Sequence, residues 1–230
     1  MTNCLLVSKE NYWSRLLFEN LRVNSKSNWS MVSTKEKFDH ILSGYFHKQD
    51  WIFFFHWSEI VESNVYKNNR CVVMHTSNLP NGRGGSPIQN QIISGVIETK
   101  VNALEMCESV DAGAIYDSRP ITLQGTAFDI WLSIAAVSEK IMIDMVDNKK
   151  NTIPIKQKNG TTEKYRRRNS SFINFNEVNS TSKIYDIIRM LDCDGYPKSK
   201  INIGGYVIEF FRASYDGSDV LCDAKITKKK

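Results

Sequence analysis

The sequence predicts an α/β fold with a mostly parallel sheet, followed by a small C-terminal α+β extension. Two observations carry that prediction. Over residues 1–150, short apolar runs that read as strands alternate with stretches whose apolar residues recur at helical spacing. Near Asp147–Asn151 the pattern breaks into a polar loop, a short helix and one clear strand. The expected division is 1–150 for the main domain and 151–230 for the extension. The extension is too short to bury a core of its own and should pack on the first domain.

The elements follow in order. Cys4–Val7 is a first strand, and Trp13, Leu16, Leu17 and Leu21 place one apolar stripe on a helix. Residues 23–36, rich in Ser, Asn and Lys, read as loop or an exposed edge. Trp51–Phe55 reads as a buried strand, Ile60–Tyr66 as a helical turn, and Arg70–Met74 as a β-branched strand. After the loop His75–Gly85 comes a punctuated helix: Ser86 can cap it, Pro87 takes the first helical position and Gly95 can end it. Ile97–Leu104 and Ala114–Leu123 are two further strands. Thr126 opens the longest helix with Asp129 at the capping-box position, and Ala127, Ile130, Trp131, Ile134, Val137, Ile141 and Met145 share one face. Downstream lie a polar loop (Lys156–Ser171), a helix with Ile184, Ile187, Ile188 and Leu191 at i, i+3, i+4 and i+7, and a strand, Tyr206–Phe211. There is no internal repeat.

Composition removes several function classes. In 230 residues, 41% are hydrophobic and 24% charged, ordinary values that exclude a disordered chain. No apolar run approaches the roughly 18 residues of a membrane helix, and the N-terminus has no signal-peptide pattern; cytoplasmic residence is the expectation. Cys4, Cys71, Cys107, Cys193 and Cys222 form no CxxC pair, so neither a disulfide framework nor a metal site is expected. The net charge of +5 sits partly in Lys164–Arg168 and Lys228–Lys230. That excess suits small anionic ligands better than nucleic acid.

The chemically informative segment is His75-Thr-Ser-Asn-Leu-Pro-Asn-Gly-Arg-Gly-Gly-Ser-Pro-Ile-Gln. A histidine at the carboxyl end of a strand in an α/β sheet lies where such folds bind ligands, and it can act as a general acid/base or an oxyanion donor. Gly82, Gly84 and Gly85 permit close backbone approach ahead of a helix N-terminus, although the spacing fits neither a P-loop nor a dinucleotide fingerprint. Asp111, before Ala-Gly, reads as a turn aspartate. Beside His75 it would favour and orient the cationic ring.

Taken together, H-x-S-x-L-P-x-x-R-G-x-x-P-I-Q with the later D-x-G resembles the formyltransferases that use 10-formyltetrahydrofolate. Trp51–Phe55 running into His56-Trp57-Ser58-Glu59-Ile60, Gly125-Thr126-Ala127, the Lys156–Arg168 stretch and Ile188–Leu191 with Gly195-Tyr196-Pro197 extend the likeness over most of residues 50–212. The last of these resemble the family's sugar-modifying branch. The resemblance implies a Rossmann-like core, 10-formyltetrahydrofolate as donor, and His75 and Asp111 as catalytic residues. Phe55, His56, Trp57, Ser58, Ile60 and Val110 would hold the folate. Asn78, Arg83, Gly84, Gln89, Tyr165, Arg166, Arg167, Arg189 and Tyr196 would meet the acceptor.

The pattern departs at Val73, where the family usually carries Asn. Valine cannot donate to an oxyanion, so another amide (Asn78, Gln89 and Asn90 are near in sequence) takes over, His75 works alone, or activity is lost. Only about 80 residues follow the core, tight for the second domain used in initiator-tRNA formylation. Leu5–Lys9 lacks the glycine-bearing phosphate loop of the purine-pathway relatives. Both points direct the expectation to a nucleotide-linked amino-deoxy sugar of the 4-amino-4,6-dideoxy kind, in lipopolysaccharide O-antigen or other surface-glycan synthesis. Partners expected are that sugar and the folate, with no nucleic acid, no membrane, and a homodimer as the usual state of soluble enzymes. The alternatives are formylation of another amine such as initiator methionyl-tRNA, or an impaired folate or nucleotide-sugar binding module.

Overall fold

The computed structural model describes residues 1–42, 49–158, 163–174 and 178–229. Residues 159–162 of the predicted polar loop and Lys230 of the terminal lysine run lie outside the described residues.

By internal contacts the chain forms two compact units. The first comprises Met1–Gly84, Thr99–Ile121 and Leu132–Lys164; the second comprises Gly85–Glu98, Thr122–Trp131 and Tyr165–Lys230. The first contains nearly all of a six-stranded sheet. Its strands are β1 (Asn3–Val7), β2 (Asn28–Val32), β3 (Trp51–Phe54), β4 (Cys71–Thr76), β6 (Glu98–Glu105) and β7 (Ile115–Thr122), with β5 (Arg83–Gly84) outside it. The order is β2-β1-β3-β4-β6-β7. The pairs β1–β2, β1–β3 and β3–β4 are parallel, and β4–β6 is antiparallel. The sheet is therefore mostly parallel on the side that matters for the site. Leu5, Leu6, Val7, Ile52 and Phe53 are fully buried. A strand covered on both faces must be apolar at consecutive positions, which is why these segments read as unbroken hydrophobic runs.

Local signals set the helices. In α1 (Tyr12–Asn24) the Asn11 side chain accepts from Ser14 N at 2.9 Å, and Trp13, Leu17 and Leu21 are buried. Helices α2 (Lys35–His40) and α3 (Ser63–Asn68) are short; α3 begins three residues later than the predicted turn. Helix α5 (Ala127–Val146) opens with Asp129 Oδ2 accepting from Thr126 N at 2.9 Å and Thr126 Oγ1 accepting from Asp129 N at 3.3 Å. That is a capping box closed by the shorter acid.

The second unit holds α4 (Pro87–Ile93), the first turn of α5, α6 (Thr181–Arg189) and an antiparallel sheet of β9 (Ser199–Ile203), β10 (Tyr206–Tyr215) and β11 (Val220–Lys228) in the order β11-β10-β9. A further two-residue strand, β8, is Lys164–Tyr165. Sequence reading found β10 but missed β9 and β11. Their residues alternate with Lys, Asn and Asp, and β11 is exposed along nearly its whole length, so no buried face betrays them. Residues 23–36, read as loop or exposed edge, contain the edge strand β2, with only Val32 buried. Ser86 occupies the N-cap of α4 in the left-handed region (φ +48°) and makes no side-chain capping bond. Its Oγ accepts from Arg168 N instead. Pro87 stands at the first helical position as expected.

Among the described residues no helix is long and apolar enough to cross a membrane. All five cysteines are free. Burial pushes the thiols of Cys4, Cys71 and Cys193 up to about 12, which leaves them protonated at neutral pH.

Candidate active site

The carboxyl ends of the parallel strands meet at one edge of the sheet. The order β2-β1-β3 reverses direction at β1, so the crevice between the ends of β1 and β3 is a topological switch point. Phe54 pairs with Val73. The chain leaving β3 therefore passes beside the last residues of β4, where His75 lies. Phe55 is buried and donates its N–H to Val7 O at 2.9 Å. His56 has φ +48°, and its Nδ1 is 3.0 Å from Asn11 Nδ2. A non-glycine residue held in that region is costly and tends to mark a ligand loop. Trp57 and Ser58 are half-buried, and Ile60 is 90% exposed. Trp57 and Ile60 line a cavity of ≈ 430 Å³ with Phe38 and Leu42. Neither His75 nor Asp111 lines it, so this cavity is not where the pair meets.

His75 is buried, with 6% of its surface exposed. Its Nδ1 is 3.3 Å from Asp111 Oδ2, and its Nε2 is 2.9 Å from the carbonyl oxygen of Gly82. Both ring nitrogens thus face acceptors. A neutral imidazole carries one N–H and can serve only one of them; the doubly protonated ring serves both.

Asp111 belongs to the connection between β6 and β7 and has φ +53°. Its Oδ2 also accepts from Gly84 N at 2.9 Å. Gly84 itself has φ +104°, a conformation that side chains other than hydrogen rarely tolerate. At Gly113 a Cβ would stand 1.7 Å from Glu105 O, which explains the glycine of D-x-G by close packing.

Two residues that sequence reading did not single out complete this cluster. Asn102 on β6 lies opposite His75 and is fully buried. Its Nδ2 donates to Ser77 O at 2.8 Å and to His75 O at 3.2 Å, while its Oδ1 accepts from Ser118 Oγ at 2.7 Å. Gln157 donates from Nε2 to the carbonyls of Asp111 and Gly113, both at 2.8 Å. The signal for Asn102 was available: it is the polar residue inside the strand segment Val101–Leu104. Gln157 sits in a polar stretch and gave none.

The acceptor candidates divide between the two units. In the first, Asn78 is exposed at the end of β4, and the Arg83 guanidinium is held by Gln157 Oε1 at 2.7 and 3.1 Å. In the second, Tyr165 is half-buried, and Arg166 and Arg167 are exposed. Arg189 is buried: it pairs with Asp186 at 2.7 Å and donates to the carbonyls of Leu123 and Gly125. Its donors are spent on the segment leading into α5 and on Asp186 of its own helix, so an open diphosphate fork is not what this residue presents. Tyr196 accepts from Trp131 Nε1 at 3.1 Å. Burial pushes its phenol up to about 12. Gln89 is buried in the same unit, with Nε2 3.5 Å from Met190 O. Val110 is 71% exposed.

Val73 is half-buried between Phe54 and Leu104 on the neighbouring strands. Of the amides named for its missing donor, Asn90 already gives both protons, to Gly85 O and Arg166 O.

Comparison with known proteins bears on this arrangement. A family model described as the methionyl-tRNA formyltransferase C-terminal domain matches residues 169–227. Methionyl-tRNA formyltransferase of Ehrlichia canis is 30% identical over 157 residues, 67% of this chain and 50% of that protein. The chain spans about half the length, or less, of the first curated relatives it matches. The solved structure of methionyl-tRNA formyltransferase from Clostridium thermocellum aligns with TM-score 0.87 and 31% identity over 99% of this chain and 100% of that one. An N-formyltransferase from Helicobacter canadensis, solved with folinic acid and dTDP-3-aminofucose, aligns with TM-score 0.59 and 17% identity over 98% of this chain and 100% of that one, a likeness of fold. With 31% identity maintained over the full length of a solved formyltransferase chain, this protein belongs to the formyltransferase family.

Proposed function

We propose that the protein transfers a formyl group from 10-formyltetrahydrofolate to an amine, and that the amine is the aminoacyl end of methionyl-tRNA. The observation that carries the chemistry is the buried His75–Asp111 pair, 3.3 Å apart at the carboxyl edge of the sheet. Support for the acceptor comes from the relatives: those with about 30% identity are named for methionyl-tRNA, and the family model over residues 169–227 carries the same description. The expectation of a sugar rested on the short C-terminal part, on the missing glycine loop at Leu5–Lys9 and on the resemblance of residues 156–168 and 188–197 to the sugar-modifying branch; the named relatives at about 30% identity weigh more.

The residues present suit a folate. The β3 end supplies a backbone turn at His56, and Trp57, Ile60 and Val110 offer apolar surface, the last two largely uncovered. Leaving a Val- or Ile-sized side chain in water forfeits roughly 1.5–3 kcal/mol that a flat ring can recover. When bound, 10-formyltetrahydrofolate supplies an electrophilic formyl carbon. His75 then does two things. Its Nδ1–H stays with Asp111, which fixes the ring, and its Nε2–H moves from Gly82 O to the oxygen that gains negative charge. A donor aimed there is worth about 10²–10³ in rate. The attacking nitrogen must shed a proton, and the Asp111 carboxylate is the base beside His75, directly or through one water. As the new carbon–nitrogen bond forms, the bond from the formyl carbon to the folate nitrogen breaks, and Asp111 passes that proton on to the departing nitrogen, so tetrahydrofolate leaves and both side chains end as they began.

A second reading keeps the same chemistry with a nucleotide-linked amino sugar as acceptor. What motivates it is the resemblance of the Lys156–Arg168 stretch and of Gly195-Tyr196-Pro197 to the sugar-modifying branch, beside a likeness of fold to the Helicobacter canadensis chain solved with dTDP-3-aminofucose. Exposed Arg166 and Arg167 beside Tyr165 would then meet the diphosphate.

One assay separates the two. The protein is incubated with 10-formyltetrahydrofolate and either initiator methionyl-tRNA or a panel of nucleotide-linked amino sugars, and products are weighed for a gain of about 28 Da. Formyl-methionyl-tRNA, with binding that weakens as salt rises, is the expected result. Formylated sugar with unmodified tRNA would install the second reading, and no product from either would end both.

A further inference from the structure

The structure assigns Gln157 as a positioning residue for the His75–Asp111 pair. The inference deepens the proposed formyl transfer and rests on it. Gln157 lies far from both catalytic residues in sequence, yet its amide makes four hydrogen bonds in this cluster. Nε2 donates to Asp111 O and Gly113 O, each at 2.8 Å. Oε1 accepts from Arg83 Nη2 at 2.7 Å and Nε at 3.1 Å. Four is the full capacity of a primary amide: two protons given and two lone pairs used. The surroundings also fix its orientation, since two carbonyls require the nitrogen and a guanidinium requires the oxygen.

The bonds close a ring. Gln157 holds the Asp111 backbone and Arg83; Gly84, next to Arg83, donates its N–H to Asp111 Oδ2 at 2.9 Å. That oxygen is the one 3.3 Å from His75 Nδ1. The glycine loop and the aspartate turn are therefore tied together on either side of the carboxylate that faces the imidazole. Asp111 needs such a tie, because a non-glycine residue at φ +53° persists only where its surroundings over-determine it. No other side chain substitutes fully. Glutamate reaches equally far but has no proton for the two carbonyls, and asparagine is one carbon short. Positioning errors near 1 Å cost about 10²-fold in rate.

The test uses the full chain as wild type, Gln157→Ala, Gln157→Glu and Gln157→Met, with 10-formyltetrahydrofolate and initiator methionyl-tRNA. Two quantities are read: kcat with both KM values, well below each variant's melting temperature, and the ring-nitrogen NMR signals of His75, resolvable among four histidines. Expected is a fall in kcat of about 10- to 100-fold with KM for the donor within about twofold. Gln157→Glu should be as impaired as Gln157→Ala although it keeps a partner for Arg83. The His75 Nδ1 signal should shift and its proton exchange faster in every variant. Gln157→Met keeps the bulk without hydrogen bonds and reports on the site if the alanine variant folds poorly. Unchanged kcat in folded variants would overturn the assignment, as would rescue by glutamate. If the wild type forms no product, the functional reading fails, and the His75 signals still decide the positioning role: identical signals in wild type and variants would overturn it.

Discussion

Two charged clusters in the first unit use the same kinds of group to different ends. In the β4 cluster, His75 lies between the Asp111 carboxylate and the Gly82 carbonyl, buried and facing acceptors on both sides. In the other, at the junction of β7 and α5, Arg119 donates to Asp117 and Asp144, each at 2.7 Å, while Asn148 and Lys150 donate to the second oxygen of Asp144. In the second cluster both Asp144 oxygens are met by donors, and Arg119 ties β7 to α5. The first cluster sets one imidazole between two acceptors, and it stands beside glycines and a loop that leave apolar side chains uncovered. On the proposed function, the first cluster is the reactive one and the second only structural.

The sharpest way to break this contrast is to remove the ring. His75→Ala should lower kcat about 10²- to 10⁴-fold while the protein stays folded, since general acid–base and oxyanion groups are worth that much. Asp111→Asn should act in the same range, because its amide can still accept from Gly84 but is no longer the carboxylate that the proposed function needs as a base. Steady-state kinetics with 10-formyltetrahydrofolate and methionyl-tRNA, beside far-UV circular dichroism, would check both. Wild-type turnover in His75→Ala would remove the basis for treating the first cluster as the reactive one.

Asn102 tests the contrast at intermediate size, because it belongs to the reactive cluster and yet behaves like the other. It binds the carbonyls of His75 and Ser77 out of water, and it takes the Ser118 hydroxyl in a part-buried bond. Asn102→Leu fits the strand but strands two buried carbonyls, at roughly 1–3 kcal/mol for each group left unsatisfied. Denaturant unfolding should show a lower midpoint with an unchanged m-value, and kcat should fall only as far as the β4 end shifts. A loss as large as that of His75→Ala, with normal stability, would move Asn102 into the chemistry.

These cases also explain how much the sequence disclosed. That His75 and Asp111 would lie together, and the Pro87 and Thr126–Asp129 helix starts, were legible because each rests on neighbours a few residues away or on a motif written in the sequence. Asn102 left a trace as a polar residue in an apolar strand. Gln157 left none, since its partners at Arg83, Asp111 and Gly113 are brought to it only by the fold. The strands β9 and β11 were hidden for another reason: neither buries a continuous face, and pattern reading needs one. Arg189, one of the candidates for the acceptor, proves to be buried, which sequence could not show because it gives a charge but not its burial.

The smallest expected effect concerns the second cluster. The hydrogen bond from Arg119, followed by that from Asn148, holds the Asp144 carboxyl down at about 2, below its ordinary 3.8. A carboxylate with a depressed folded value stabilises the fold fully above its unfolded value. That contribution fades as pH falls from about 4 through 2. Asp144 and Arg119 are partly exposed, so solvent screening keeps the contribution near 1 kcal/mol or less. Asp144→Asn should therefore melt a few degrees below wild type at pH 6–7. The gap should close toward pH 2, where the wild-type carboxyl is itself protonated, and kcat at neutral pH should be unaltered. A gap that stayed constant with pH would mean packing, not charge, joins β7 to α5; a change in kcat would show that the two clusters are coupled and that their division into reactive and structural is too sharp.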